Sequence, residues 1–376
     1  MQASTLAQLG VTGLLAASLP LSMVWMSADP HKYRKLVWVA VFLTFDLIVF
    51  GGFTRLTDSG LGCPDWPGCY GLANPFLAHE QITAAEALLP TGPVTVVKAW
   101  IEMIHRYLAM GIGVLIVTMA INASLRYRRG SASQRRQFAP GLPTALFLFV
   151  CLQGAFGAWT VTLKLQPVIV TIHLLLGMGL LAMLTWLGGR QNNLLRPAIK
   201  RPAAAPALAQ LRWWALATAV VLAIQIALGG CVSTNYATLA CNEYPLCGGE
   251  WVPEMYFEHG FTLWRELGKT AAGHYLPFAA LTAIHWVHRN FALVLVLVTG
   301  WTALLCWRQP ALRRMARLLV LALVVQAATG LATIYLSFPL AIAVLHNAGA
   351  AVLVLLVTML NYKVKHQFDA ARSNPP

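Results

Sequence analysis

Eight stretches of this chain run for about 20 apolar residues or more, the length an α-helix needs to cross a bilayer. They lie near 35–54, 97–123, 141–162, 166–189, 212–234, 278–306, 314–337 and 340–361. No other feature narrows the possible folds as far, because backbone polar groups in lipid must find their partners within the segment. With 58% hydrophobic and only 11% charged residues, and a mean hydropathy of +0.64, the composition excludes a soluble globular domain. An all-α polytopic membrane protein is expected. In a soluble chain the net charge of +14 would suggest nucleic acid. Here it reflects basic loops on one face of a membrane, and no nucleic-acid partner is expected.

Charge sets the orientation. Most of the 27 Lys and Arg fall in "HKYRK", "RYRRGSASQRR", "RQNNLLRPAIKRPAAAPALAQLR", "RQPALRRMAR" and the tail after Tyr362. These segments should face the cytoplasm, and the long loops 55–97 and 235–277 should face outward. Residues 1–28 contain "LAQLGVTGLLAASLPLSMVWM", apolar enough for a ninth helix and lacking the basic start of a secretory signal. An extra, uncleaved N-terminal helix is expected there; a misplaced start codon is the alternative.

The chain is an internal duplication. "GGFTRLTDSGLGCPDWPGCYG" from Gly51 matches "GGCVSTNYATLACNEYPLCGG" from Gly229 at an offset of 178. "EMIHR" meets "HWVHR" at 183, pairing His105 with His288, and Gln153/Gln326, Gly157/Gly330 and His173/His346 share 173. Each copy holds four helices, so both enter from the same side, a parallel repeat about an axis along the membrane normal. The expected organisation is an N-terminal hydrophobic segment over 1–34 and a four-helix bundle over 35–190. A cytoplasmic linker over 191–211, rich in Pro and Ala, leads to a second bundle over 212–365 and a tail over 366–376.

Four histidines, His105, His173, His288 and His346, lie roughly 9–15 Å inside the outer ends of their helices at about 1.5 Å per residue. In each copy they stand on the second and fourth helices, where two imidazoles at one depth can grip a metal from opposite faces. No cysteine or carboxylate cluster accompanies them as structural zinc requires, and bis-imidazole ligation of haem iron fits best. A membrane histidine can also simply hydrogen-bond between helices, but repetition in register favours ligation. His31 and His366 fall on the cytoplasmic side, and His79, His259 and His274 in the outer loops.

Arg106 and Arg289 each follow a ligand histidine and suit haem propionates, or else snorkel to the interface. Glu102 breaks the repeat. It lies one turn before His105, on the same face, where the second copy has His285. A carboxylate there can move protons beside a haem, or merely pair with Arg106 or Lys98. Cys63 with Cys69, and Cys241 with Cys247, sit in short outer-face loops that allow a local disulfide, structural or redox-active. Cys151, Cys231 and Cys306 read as packing residues.

Taken together, "GGFTRLTDSGLGCPDWPGC", "EMIHR", "TIHLLLG", "HWVHR" and "VLHNAGA" resemble the haem A synthase family over about 35–361. The resemblance implies eight helices in two pseudo-symmetric four-helix halves, in a bacterial cytoplasmic (inner) membrane. It implies substrate haem O at His105 and His173, Glu102 as the catalytic carboxylate, and a haem B cofactor on His288 and His346. Disulfides Cys63–Cys69 and Cys241–Cys247 match members with a cysteine pair in both loops. The implied reaction oxidises one haem methyl to a formyl group by two hydroxylations and loss of water. Haem O synthase, cytochrome oxidase assembly proteins, membrane lipid, an electron acceptor or donor and a second copy of the chain are the partners it implies. The rival readings are a di-haem b-type electron carrier, such as a quinol oxidoreductase subunit, and a transporter using histidines as proton relays. The residues leave the role of His285 open.

Overall fold

The structure, a computed structural model, describes residues 2–194 and 205–373. Part of the expected linker, 195–204, lies outside the described residues, as do Met1 and 374–376. Contacts divide the chain into two compact units, Met1–Gln191 and Asn192–Pro376.

The first unit begins with α1 (Gln2–Trp25), followed by α2 (Lys32–Leu56), a short α3 (His79–Leu88) and the long α4 (Val96–Arg129). A connector helix α5 (Ala132–Gln137) leads to α6 (Gly141–Thr162) and α7 (Pro167–Leu194). The second unit has α8 (Ala205–Thr234), a short α9 (Phe257–Phe261), α10 (Phe278–Trp307), α11 (Arg313–Tyr335) and α12 (Leu340–Ser373). Among the described residues no strand forms, and nine helices are long and apolar enough to cross a membrane. All eight expected spans are helices, and residues 2–25 form the ninth.

The helix ends explain where hydropathy misplaced the boundaries. α4 and α12 run on past their apolar stretches, to Arg129 and Ser373, on good helix formers such as Arg and Lys. Cationic side chains there also suit the negative end of the helix dipole. At the other ends the turns are tight and repeat between units. α6 closes with Leu165 N on Thr160 O at 2.8 Å and Lys164 N on Val161 O at 3.0 Å. α11 closes identically, Phe338 N on Thr333 O at 2.8 Å and Ser337 N on Ile334 O at 3.2 Å. These are Schellman closures built without glycine: Lys164, Leu165, Ser337 and Phe338 all have positive φ. α2 and α8 end the same way, at Asp58 and Tyr236.

Close helix packing relies on small residues, since lipid offers no hydrophobic contrast. α1 packs on α4 with Gly111 against Ala16 and Gly13 against Met110. Farther along, Leu9 of α1 is buried with Ala99 and Met103 of α4 and with Cys63 and Cys69 of the intervening loop, and Thr5 Oγ1 donates to Gly71 O at 2.9 Å. The additional helix therefore braces the first cysteine loop. In the second unit, a buried hydroxyl pair, Thr218 and Thr302 at 2.8 Å, ties α8 to α10.

Candidate functional site

Both cysteine loops are disulfide-closed, Cys63 to Cys69 and Cys241 to Cys247, with Cα–Cα distances of 4.9 and 4.8 Å. They share their detail. Each contains a cis proline, Pro67 or Pro245, and an antiparallel bridge from the second cysteine to the residue three on, Cys69 to Leu72 and Cys247 to Glu250. In each, a carboxylate two residues past the first cysteine caps the turn. Asp65 accepts from Tyr70 N and Gly71 N, both at 2.6 Å, and Glu243 accepts from Gly249 N. In the second loop buried Arg265 donates to Asn235 Oδ1 at 2.5 Å and Lys269 O at 3.3 Å; burial pushes its pKa below the ordinary arginine range.

Each loop is clamped to the helix that follows it. Arg106 of α4 donates through Nη1 to Asp65 O, Pro67 O and Gly68 O at 3.0, 3.2 and 2.6 Å. Arg289 of α10 donates to the corresponding carbonyls, Glu243 O, Pro245 O and Leu246 O, at 2.8–2.9 Å. Read from sequence, these arginines pointed to propionates. The clamp escaped notice because its acceptors are backbone carbonyls, which residue identity does not display.

Glu102, 4% exposed, is tied to the same loop. Its Oε2 accepts from Cys63 N at 2.8 Å, and its Oε1 pairs with Arg106 Nη2. In the second unit His285, 5% exposed, takes over the first of these duties: its Nδ1 accepts from Cys241 N at 3.2 Å. Carboxylate and imidazole thus hold the amide of the first disulfide cysteine in their respective units. This gives His285 a definite structural place.

The four histidines come together in pairs. His105 on α4 and His173 on α7 lie within electrostatic reach of each other, as do His288 on α10 and His346 on α12. All four rings sit against a glycine of a neighbouring helix. A Cβ built on Gly51 would stand 2.9 Å from His105, on Gly157 3.2 Å from His173, on Gly229 3.0 Å from His288 and on Gly330 3.0 Å from His346. Any larger residue would have to displace the imidazole. The sequence displayed these glycines only as repeat markers, and Gln225 and Thr329, which touch His288 and His346, went unnoticed.

This arrangement fits a haem. The donor set is a pair of imidazoles per unit, and among the described residues no cluster of three or more His, Cys, Asp or Glu offers a competing metal site. Buried polar atoms with no partner gather at the rings: His173 Nδ1 and the Oε1 atoms of Gln153, Gln225 and Gln326. Gln153 Nε2 donates to His173 O at 3.2 Å, and Gln326 Nε2 lies 3.4 Å from His346 Nε2, the nitrogen an iron would take.

Comparison with known proteins gives the same direction. A protein of Shewanella oneidensis named "Heme A synthase" is 35% identical over 89% of this chain and 98% of its own length. Proteins of that name from Chelativorans sp. and Caulobacter vibrioides are 30% and 28% identical over 85% and 88% of the chain, and 89% and 95% of their own lengths. The family profile described as cytochrome oxidase assembly protein matches residues 34–358, all but the N-terminal helix and the far C-terminus. The chain belongs to the cytochrome oxidase assembly protein family.

Proposed function

We propose that this chain is a haem A synthase, oxidising a methyl group of haem O to a formyl group by successive hydroxylations to supply haem A for cytochrome oxidase. One observation carries the reading. Each unit presents a glycine-seated pair of imidazoles, and only the first has a buried carboxylate, Glu102, where the second has His285. The relatives' shared name points the same way.

On this reading His105 and His173 hold the substrate, haem O, and His288 and His346 hold a resident haem B. The bound haem iron and porphyrin supply the redox chemistry. The chain supplies ligation, orientation and a proton acceptor. Glu102 keeps Oε1 on Arg106 and Oε2 on Cys63 N, yet each carboxylate oxygen has a second lone pair with which to accept a proton from the oxidised methyl. Arg106 has five N–H donors. Its loop clamp and its pairing with Glu102 occupy Nη1 and Nη2, leaving the Nε–H edge for a propionate. Arg289 is assigned the same double duty.

The locale follows from charge and redox chemistry. The basic segments face the cytoplasm, and the disulfide loops lie on the oxidising, periplasmic face of a bacterial inner membrane. Haem O synthase, cytochrome oxidase assembly proteins, an electron acceptor or donor and a second copy of the chain are proposed partners.

Pigment analysis of the purified protein, with and without co-produced haem O, tests the reading. Haem A should form only when haem O is supplied. His288→Ala or His346→Ala should strip the resident haem, since each removes one of two axial bonds. A full low-spin spectrum persisting in both variants would remove the haem B assignment.

A further inference from the structure

The two units differ in what meets the Nδ1 atoms of His346 and His173. In the second, Gln225 Nε2 lies 3.2 Å from His288 Nδ1, and Thr329 Oγ1 lies 3.0 Å from His346 Nδ1. Thr329 gives its only hydroxyl proton to Gln326 O at 3.0 Å, so toward His346 it is an acceptor. That leaves the His346 proton on Nδ1 and the lone pair on Nε2, the form that binds iron. Gln225 faces His288 differently: its Nε2 also donates to His288 O at 3.1 Å, so it presents a donor to Nδ1 and does not hold a proton there.

The glycines fix the corresponding positions in the first unit. Gln225 stands one turn before Gly229, and Leu47 one turn before Gly51; Thr329 precedes Gly330, and Phe156 precedes Gly157. Leucine and phenylalanine offer no hydrogen bond. His173 Nδ1 is buried without a partner, and the Phe156 ring packs edge-on to Trp159 at 5.0 Å. The His105 ring stacks on Phe50, with centroids 6.2 Å apart.

We infer that Thr329 is a positioning residue that locks His346 in the iron-binding tautomer and so makes the second unit's haem resident. Phe156, at the matching place, leaves His173 unlocked, so that the first unit's haem exchanges. A hydrogen-bonded Nδ1–H fixes ring orientation and strengthens the imidazole as a donor, and its loss commonly costs about 10–100-fold in metal affinity. A cofactor gains from such a lock. A substrate that must leave as product after every cycle is trapped by one.

The inference rests on the proposal that both units bind haem, and the test separates the two. Haem transfer from the purified full-length protein to apomyoglobin gives a release rate, and redox titration gives the potential of the low-spin centre. Thr329→Val should speed release by about 10–100-fold. It should also raise the potential, because a weaker imidazole donor stabilises ferric iron less. Thr329→Ser should restore both values, which a simple packing role would not require. In a His288→Ala background loaded with haem O, Phe156→Thr should slow release from the first unit by a similar factor. Unchanged release and potential in Thr329→Val, while His288→Ala and His346→Ala still strip haem, would overturn the inference and spare the function. If Thr329→Val does not fold, Phe156→Thr decides alone, and unslowed release there overturns the inference. A wild-type protein that purifies without haem overturns both.

Discussion

At Glu102 a buried carboxylate holds a loop and stands one turn from His105, a proposed haem ligand. Its two roles make different demands on a substitution. Glutamine can still accept from Cys63 N but loses the charge facing Arg106. Removing one partner of a buried ion pair can cost about 3–5 kcal/mol, but Arg106 keeps three carbonyl acceptors, so the loss in Glu102→Gln should be smaller. The folded yield should fall modestly. Haem A formed per folded protein should fall by about 10²–10⁴-fold, as for a lost acid/base group. His285→Gln keeps an acceptor for Cys241 N and should leave turnover within a few-fold of wild type. Near-normal turnover in Glu102→Gln, measured as haem A per folded molecule, would reduce the residue to a loop anchor.

Among the helices, the glycine contacts make the next prediction. Gly330→Ala puts a methyl carbon 3.0 Å from the His346 ring, and the ring must move. The expected result is loss of haem from the second unit and a cost of about 1–3 kcal/mol in thermal unfolding. Gly300→Ala, on α10, meets nothing within 4 Å and should be neutral or stabilising by about 0.5–1 kcal/mol. Equal haem content in the two variants would refute the cradle. The spans themselves were legible because hydropathy and length report directly on burial in lipid. The extensions of α4 and α12 were not, since charged residues continue a helix into water with no apolar signal. The Schellman ends at Lys164 and Ser337 were also hidden, because neither carries the glycine that usually marks such a turn.

For the whole molecule, repetition was the most readable property. The four histidines, the cysteine pairs and the Glu102 asymmetry followed from aligning the chain with itself. Hidden from that alignment were interactions made by backbone groups, such as the Arg106 and Arg289 clamps, and those that become meaningful only in three dimensions, such as Thr329 on His346. Each unit contains its own histidine pair and its own disulfide loop. Lesions in different units should therefore add: the unfolding cost of His173→Ala with His346→Ala should equal the sum of the single costs within about 0.5 kcal/mol. A large non-additive term in thermal unfolding would mean the units do not behave independently. A non-reduced digest should give peptides joining Cys63 to Cys69 and Cys241 to Cys247, and free thiols in protein kept from reductant would contradict the loop structure.

The exchange of Glu102 for His285 also alters the charge count beside each ligand pair. In the first unit the Arg106 guanidinium is balanced by a carboxylate, so the helix turn below His105 is formally neutral. In the second, His285 Nδ1 accepts a hydrogen bond and so bears no proton there, and buried Arg289 is met at Nη1 and Nη2 by carbonyl dipoles alone. The loop carboxylates Asp65 and Glu243 are common to the two units, so the turn beside His288 carries one more positive charge than its counterpart. A dianionic ligand, as a haem is through its two propionates, gains Coulombic attraction in the second unit that it does not find in the first. Buried charge is only weakly screened by salt, so this preference should survive at high ionic strength.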